Sequence, residues 1–299
     1  MNKKIIFFAL FSAVVLGGCT SANNESAEES SSLFESADIS TIEASEEVSA
    51  TNESSDELSI QIENEVNEAV SSCDSLSDEL VKIGEIYDKY DSYRINASTQ
   101  TEMNEKSVYG LQVWQAEVNS LLSRLKEADP SNYESNLLPE HQNWEKYVDT
   151  MSERMAYEYE GGSIQPMIIM YNKAMRYKND AYSLASTLAE LKGEVTFSLP
   201  DHEADGYYGN YDGEDYLIIN EGMESGSYSI LIHVEGKDEL RGYATINPDA
   251  DDYSLAFTSE DGTISGSVSY FVLGATFYVT ESDNASFKPE EVYDFTFCY

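Results

Sequence analysis

The sequence predicts an α+β protein: an antiparallel helical bundle followed by a small antiparallel β-barrel or sandwich. Three observations predict it. Apolar residues recur every three or four positions from Val66 to Leu191, the period of a helix face. From Gly206 onward, short β-branched and aromatic runs alternate with turn dipeptides at roughly ten-residue spacing. Before residue 64 neither pattern is sustained. A length of 299 residues suits about two domains once a processed leader is set aside.

The chain opens with a delivery signal over residues 1–19. Lys3 and Lys4 form a basic start, and Ile5 to Leu16 is apolar apart from Ser12. That run is too short to span a bilayer but fits a signal segment. It ends in Leu16-Gly17-Gly18-Cys19, which resembles the bacterial lipobox. Two small residues admit a peptidase, and the Cys19 thiol is placed to take a diacylglycerol. The expectation is a lipid-anchored, extracytoplasmic protein held at the cell membrane through Cys19.

Residues 20–63 hold 12 Ser, 12 Asp or Glu, and no Lys, Arg, Gly or Pro. Such a segment buries too little apolar surface to offset its ordering entropy, and its like charges extend it. It is expected to be a disordered tether, with a short helical patch at Ile39–Val48 allowed.

Residues 64–193 read as a helical domain. Val66, Val70, Cys73, Leu76, Leu80, Ile83, Tyr87 and Tyr90 make the first stripe, which breaks near Arg94 to Ser98. Cys73 on that stripe reads as a small buried side chain. Thr99 and Glu102 have capping-box spacing. Met103, Ser107, Leu111, Trp114, Val118, Leu121 or Leu122, and Leu125 follow, and Asp129-Pro130-Ser131 ends that helix. Leu137, His141, Trp144, Val148, Met151 and Met155 make the next face, with Pro139 in its first turn. Gly161-Gly162 stops it. Ser163 is expected to cap a fourth helix, with Met167, Met170 or Tyr171, Ala174, Ala181, Leu184, Leu188 and Leu191 inward. Four helices with mostly short connections point to an antiparallel bundle.

Over residues 95–190 several short motifs stand in a recognisable order. Thr101-Glu102-Met103-Asn104 leads a helix that carries Glu117-Val118-Asn119. Gln142, Trp144, Lys146, Tyr147 and Asp149 come next, and then Gly161-Gly162-Ser163. This order resembles the N-terminal domain of LprI-type lysozyme inhibitors. Val118 stands for that family's Leu, Asn143 for its Ala and Val148 for its Arg. Lys106 and Ser152 stand near its helix-pairing cysteines. The resemblance implies binding and inhibition of lysozyme-type muramidases, with no catalytic residues and no cofactor. The motif residues themselves read as caps, turns and core: Trp144 on an apolar face, Gly161 and Gly162 at a left-handed helix end.

Residues 195–299 read as eight strands near 206–211, 216–220, 227–234, 241–246, 253–258, 263–271, 275–280 and 293–298. In a closed barrel the first and last would pair and remove the edges. Small β-barrels of this architecture are similar to those of other lysozyme inhibitors and lipocalin-like lipoproteins.

The net charge of −39 is spread over the chain, with −11 in residues 64–194 and −18 in residues 195–299. It excludes a nucleic-acid partner, whose phosphates it repels. It fits either a solvated extracellular surface or steering of a cationic partner such as a lysozyme. Cys73 and Cys298 allow one disulfide at most, and spacing does not decide whether they meet, so both domains must stand on ordinary cores. His141, His202 and His233 match no metal-site or nucleophile motif. The acidic clusters Asp201/Glu203/Asp205, Asp212/Glu214/Asp215 and Asp249/Asp251/Asp252 match no calcium loop. The expectation is a binding protein rather than an enzyme: an inhibitor, or alternatively a non-inhibitory envelope-protein or glycan-binding module.

Overall fold

A computed structural model describes residues 47–200, 203–209, 214–247, 253–271 and 274–298. Side chains are described from Glu57 on, except those of Phe297 and Cys298. The lipobox with Cys19, the segment assigned to the tether up to Glu46, Asp201, His202, Asp212 and the whole Asp249/Asp251/Asp252 cluster lie outside the described residues.

Seven α-helices come first: α1 (Glu47–Ser72), α2 (Leu76–Ile95), α3 (Gln100–Lys106), α4 (Val108–Ala128), a single turn α5 (Pro130–Asn132), α6 (Leu138–Met155) and α7 (Gln165–Lys192). Residues 47–63 are therefore helical, where composition assigns them to the tether. Ile62 and Val66 explain the difference: each is only 1% exposed, and this packing supplies what the local composition lacks. The first apolar stripe also divides into two helices. Ser75 breaks it, its Oγ accepting from Asp78 N at 3.0 Å, while the Glu194 carboxylate caps Leu76 N at 3.0 Å from across the bundle. Cys73 in the break is a half-buried free thiol.

Asp129 ends α4 and starts α5, its Oδ1 accepting from Asn132 N at 3.0 Å. A π-helical turn, Tyr133–Leu137, joins α5 to α6. There Leu138 N donates to Tyr133 O, five residues back, and Pro139, which has no N–H, follows at once. The wide turn lets proline sit within a continuous helical run without a clash. α7 ends on Gly193 in the left-handed region (φ 72°), with Glu194 N donating to Ala189 O. Leu191, expected inward, is 46% exposed, because it falls in this last turn beyond the packed face.

The eight strands fall where the alternation places them: β1 (Gly206–Gly209), β2 (Tyr216–Glu221), β3 (Ser227–His233), β4 (Leu240–Ile246), β5 (Ser254–Ser259), β6 (Ile264–Phe271), β7 (Gly274–Ser282) and β8 (Val292–Cys298). They form an up-and-down antiparallel barrel rather than a sandwich. β1 closes it on β8 through Tyr207–Cys298 and Tyr208–Phe297.

The interior is filled by side chains, among them Tyr208, Ile219, Ile230, Leu255, Phe257, Val268, Phe277 and Phe295. Phe257 and Phe277 meet edge to face, with ring centroids 5.2 Å apart. Glycines on the flanking strands make room for them. A Cβ at Gly242 would lie 2.6 Å from Phe257 Cζ, and one at Gly266 would lie 2.6 Å from Phe277 Cε2.

β4, β5 and β7 alternate between buried and more exposed residues, whereas β1 is buried throughout and β2 nearly so. The reason is that β1–β3 carry a second apolar face. Tyr207, Tyr216, Ile218 and Leu231 belong to the helical core, not the barrel interior. The end of α6 seals this contact. Arg154 Nη1 donates to Tyr207 Oη at 2.6 Å, and its guanidinium lies 4.3 Å from the Tyr216 ring centroid. Asn220 Nδ2 donates to Met155 O at 3.1 Å.

Gly242→Ala is expected to lower stability by about 1–3 kcal/mol, because the new Cβ would clash with the Thr258 backbone carbonyl as well as with the Phe257 ring. Urea denaturation of the variant beside the parent chain measures this. An unchanged midpoint would show that the barrel core has slack there.

Candidate functional site

The motif residues meet at one corner of the helical domain. Thr99 Oγ1 accepts from Glu102 N at 3.2 Å, and Glu102 Oε2 accepts from Ser98 N at 2.8 Å, so the capping box closes on the amide just before the cap. Thr101 is exposed and Met103 half-buried. Asn104 Nδ2 donates to Ser163 O at 3.0 Å, across a sequence separation of 59 residues. Gln100 Nε2 donates to the same Asn104 amide at 2.8 Å and fixes its orientation. Ser163 thus serves through its carbonyl. It does not cap α7, whose preceding residue is Ile164 in helical geometry with no side-chain cap. Gln165 Oε1 accepts from Gly161 N at 2.9 Å and ties the preceding turn to the start of α7.

Gly161 adopts φ 73°, as a left-handed turn requires. Glu158 to Ser163 form an exposed turn, which includes Tyr159 at 40% exposure. The turn is braced on both sides: by Asn104 from α3, and by Ser229 Oγ of β3, which donates to Glu158 Oε2 at 2.9 Å. Tyr157 before it sits beneath the Arg241 guanidinium, 5.2 Å from the ring centroid, and burial pushes its hydroxyl up to about 12.

Trp144 is 3% exposed, with the Tyr177 ring edge-on at 5.0 Å and His141 stacked at 5.4 Å. It is a core residue, as its place in the stripe predicts. His141 Nδ1 lies 3.1 Å from Asp180 Oδ2. Burial disfavours the imidazolium, but the Asp180 carboxylate outweighs it and holds His141 above its ordinary value. Gln142 is exposed, Tyr147 packs half-buried against the core, and Asp149 forms a surface ion pair with Lys173.

Sequence reasoning singles out no carboxylate pair, yet the bundle contains one. Glu79 of α2 and Glu117 of α4 lie on the buried faces of their helices, 3% and 0% exposed. Arg124 serves both. It is bidentate on Glu79 at 2.9 and 2.6 Å, and its Nη2 reaches Glu117 Oε1 at 3.3 Å. One guanidinium cannot neutralise two buried carboxylates. Desolvation first, and the neighbouring Glu79 second, raise the Glu117 carboxyl far above its usual range, so it is protonated at neutral pH. The signal for this pair was present in the sequence: both acids fall on apolar stripes, with Arg124 seven residues after Glu117. With Glu117 fully buried, no substrate reaches the pair, and its role is structural.

A groove of about 440 Å³ runs between α1 and α4. Ser59, Glu63, Asn67, Gln112, Gln115, Asn119 and Ser120 line its walls, and Ile62 and Ala116 complete the lining. Among the described residues no group of His, Cys, Asp or Glu is placed to hold a metal, and no helix is long and apolar enough to cross a membrane.

Residues 92–184 match the family model of the lysozyme inhibitor LprI. The LprI match runs from the end of α2 through α3, α4 and α6 into α7, and so contains the Asn104–Ser163 joint and the braced turn. It agrees with the resemblance carried by the motif residues. The barrel and α1 lie outside it. The chain matches no curated protein and no solved structure. The LprI description is of an inhibitor and not of a catalyst.

Glu117→Gln tests the buried pair. A raised acid pKa means that the parent chain loses stability as pH rises above the unfolded value near 4.5, where only the unfolded chain ionises. The glutamine variant lacks this loss. The two chains are expected to be about equally stable at pH 4, with the variant ahead by about 3 kcal/mol or more at pH 8. Parallel denaturation curves at the two pH values decide it, and a variant less stable at pH 8 would mean that Glu117 is ionised in the folded state.

Proposed function

We propose that this chain is an inhibitor of lysozyme-type muramidases, displayed outside the cytoplasmic membrane on a lipid attached to Cys19. The observation that carries the reading is the LprI match over residues 92–184. Two features of the chain support it. The surplus of 56 acidic over 17 basic residues creates a field that draws a cationic protein toward the surface. The Glu158–Ser163 turn offers an exposed aromatic, Tyr159, between two carboxylates on a backbone already ordered by Asn104, Gln165 and Ser229. A pre-ordered turn loses little entropy on docking, so its contacts appear as affinity. In this reading the turn enters or covers the cationic enzyme's cleft, and the acidic faces accelerate encounter. In this reading the acidic, Ser-rich segment after Cys19 serves as the tether between the lipid and the folded part.

Titration of hen-type lysozyme with the full chain tests the inhibitory reading. Inhibition is expected at low salt, weakening as salt rises. Tyr159→Ala is expected to weaken it about tenfold, equivalent to about 1.4 kcal/mol. Absence of any binding at low salt would rule the reading out. Anchoring is tested separately: Cys19→Ser should abolish incorporation of labelled lipid, and continued labelling of that variant would remove Cys19 as the acceptor.

A further inference from the structure

We propose that the groove between α1 and α4 binds an uncharged N-acetylated sugar of about disaccharide size. Its volume of about 440 Å³ lies in the range of small-ligand sites and is concave, where the turn proposed to meet lysozyme is convex. The packed seam between the two helices is apolar, and along its open edge α4 presents Gln112 and Asn119, with Gln115 shared with Tyr177, while α1 presents Ser59, Glu63 and Asn67. Beneath them Ile62 is 1% exposed, so the groove has an apolar floor under polar walls.

The wall chemistry selects the ligand class. Carboxamides both donate and accept, as do hydroxyls, so the lining can pair with ring hydroxyls and with both ends of an acetamido group. Ser59 Oγ donates to Gln112 Oε1 at 3.2 Å, which leaves that amide's N–H groups unspent. Asn67 and Asn119 are exposed, and their carboxamides make no hydrogen bond to another side chain among the described residues. No Lys, Arg or His lines the groove, and Glu63 is its one charge. Phosphate and carboxylate ligands are therefore disfavoured, in a chain whose net charge of −39 already repels them. A peptide is a poorer fit than a sugar. Peptide grooves take side chains in apolar pockets, and here the apolar part is confined to Ile62 and Ala116.

The groove's α4 wall lies in the LprI-matched segment, but neither the turn proposed to meet lysozyme nor the barrel contributes to it, so the two readings fail separately. The probe is N,N′-diacetylchitobiose, titrated into the full chain by calorimetry, with cellobiose, which lacks acetamido groups, and triglycine as comparators. Saturable binding of the acetylated disaccharide is expected, at least tenfold tighter than either comparator. The double variant Asn67→Ala/Asn119→Ala, changed only at exposed helix positions, should lose at least tenfold in affinity while keeping its melting temperature and its effect on lysozyme. No binding of the acetylated probe, equal binding of cellobiose or triglycine, or full affinity in the double variant would overturn the proposal.

Discussion

One constraint shapes the arrangement of the whole described chain: the β1–β3 wall of the barrel is apolar on both faces. A strand with one buried face can alternate, but β2 places Tyr216 and Ile218 outward while Leu217 and Ile219 fill the interior. Water cannot cover that outer surface without cost, so the helical domain must. α6 supplies the cover, and Arg154 completes it by meeting the polar tips and ring faces of Tyr207 and Tyr216 together. An arginine suits this boundary because its planar guanidinium stacks on one ring while its N–H groups satisfy another hydroxyl. The stacking continues from Tyr207 through Tyr216 to His233, with centroid separations of 5.5 and 5.0 Å. The helical bundle and the barrel are separate in sequence but share a core at this wall.

That shared core accounts for what could be read from the sequence and what could not. The barrel strands were legible because β4–β8 alternate and Asp-Gly, Asn-Pro and Glu-Gly steps punctuate them. The continuous apolar runs of β2 and β3 announced strands but did not say what covers their outer faces. The bundle helices were legible by period, but Ser75 was not read as a break, since a cap depends on a single hydroxyl that a stripe cannot show. Residues 47–63 look like tether because local composition ignores tertiary partners, and Ile62 packing into the bundle core decides the matter.

The motif residues show the same division. Their identities placed the Thr99 cap, a core tryptophan and a left-handed glycine at Gly161 correctly, but the two glycines do not stop α6, which ends earlier, at Met155. Their pairing was invisible, because Asn104 and Ser163 are brought together only by the packing of α3 beside α7. Ser163 was read as a cap from its residue type, yet its backbone carbonyl does the work and its side chain does not. The Glu79–Glu117–Arg124 cluster was missed for a related reason. Acids are so abundant here that two on apolar stripes do not stand out, although a buried acid is the rarer and more informative feature. The groove was hidden because Gln and Asn on a helix face normally mean solvent, and only the approach of α1 to α4 makes them a lining.

The bracing of the exposed turn gives the barrel a role that its separate sequence character conceals. A Gly-Gly turn between two long helices has wide conformational freedom, and Gly161 in particular loses much entropy when fixed. Asn104 restrains the far end of the turn from within the LprI-matched segment. The near end is restrained by Ser229 through Glu158 and by Arg241 over Tyr157, both from strands outside that segment. These contacts require the β3–β4 wall to sit against the end of α6, which is the arrangement the two-faced strands impose. The same burial that hides the outer face of β2 and β3 therefore fixes the geometry of the turn. In this chain the barrel works as a brace for the helical domain's exposed turn, and not only as a second module beside it.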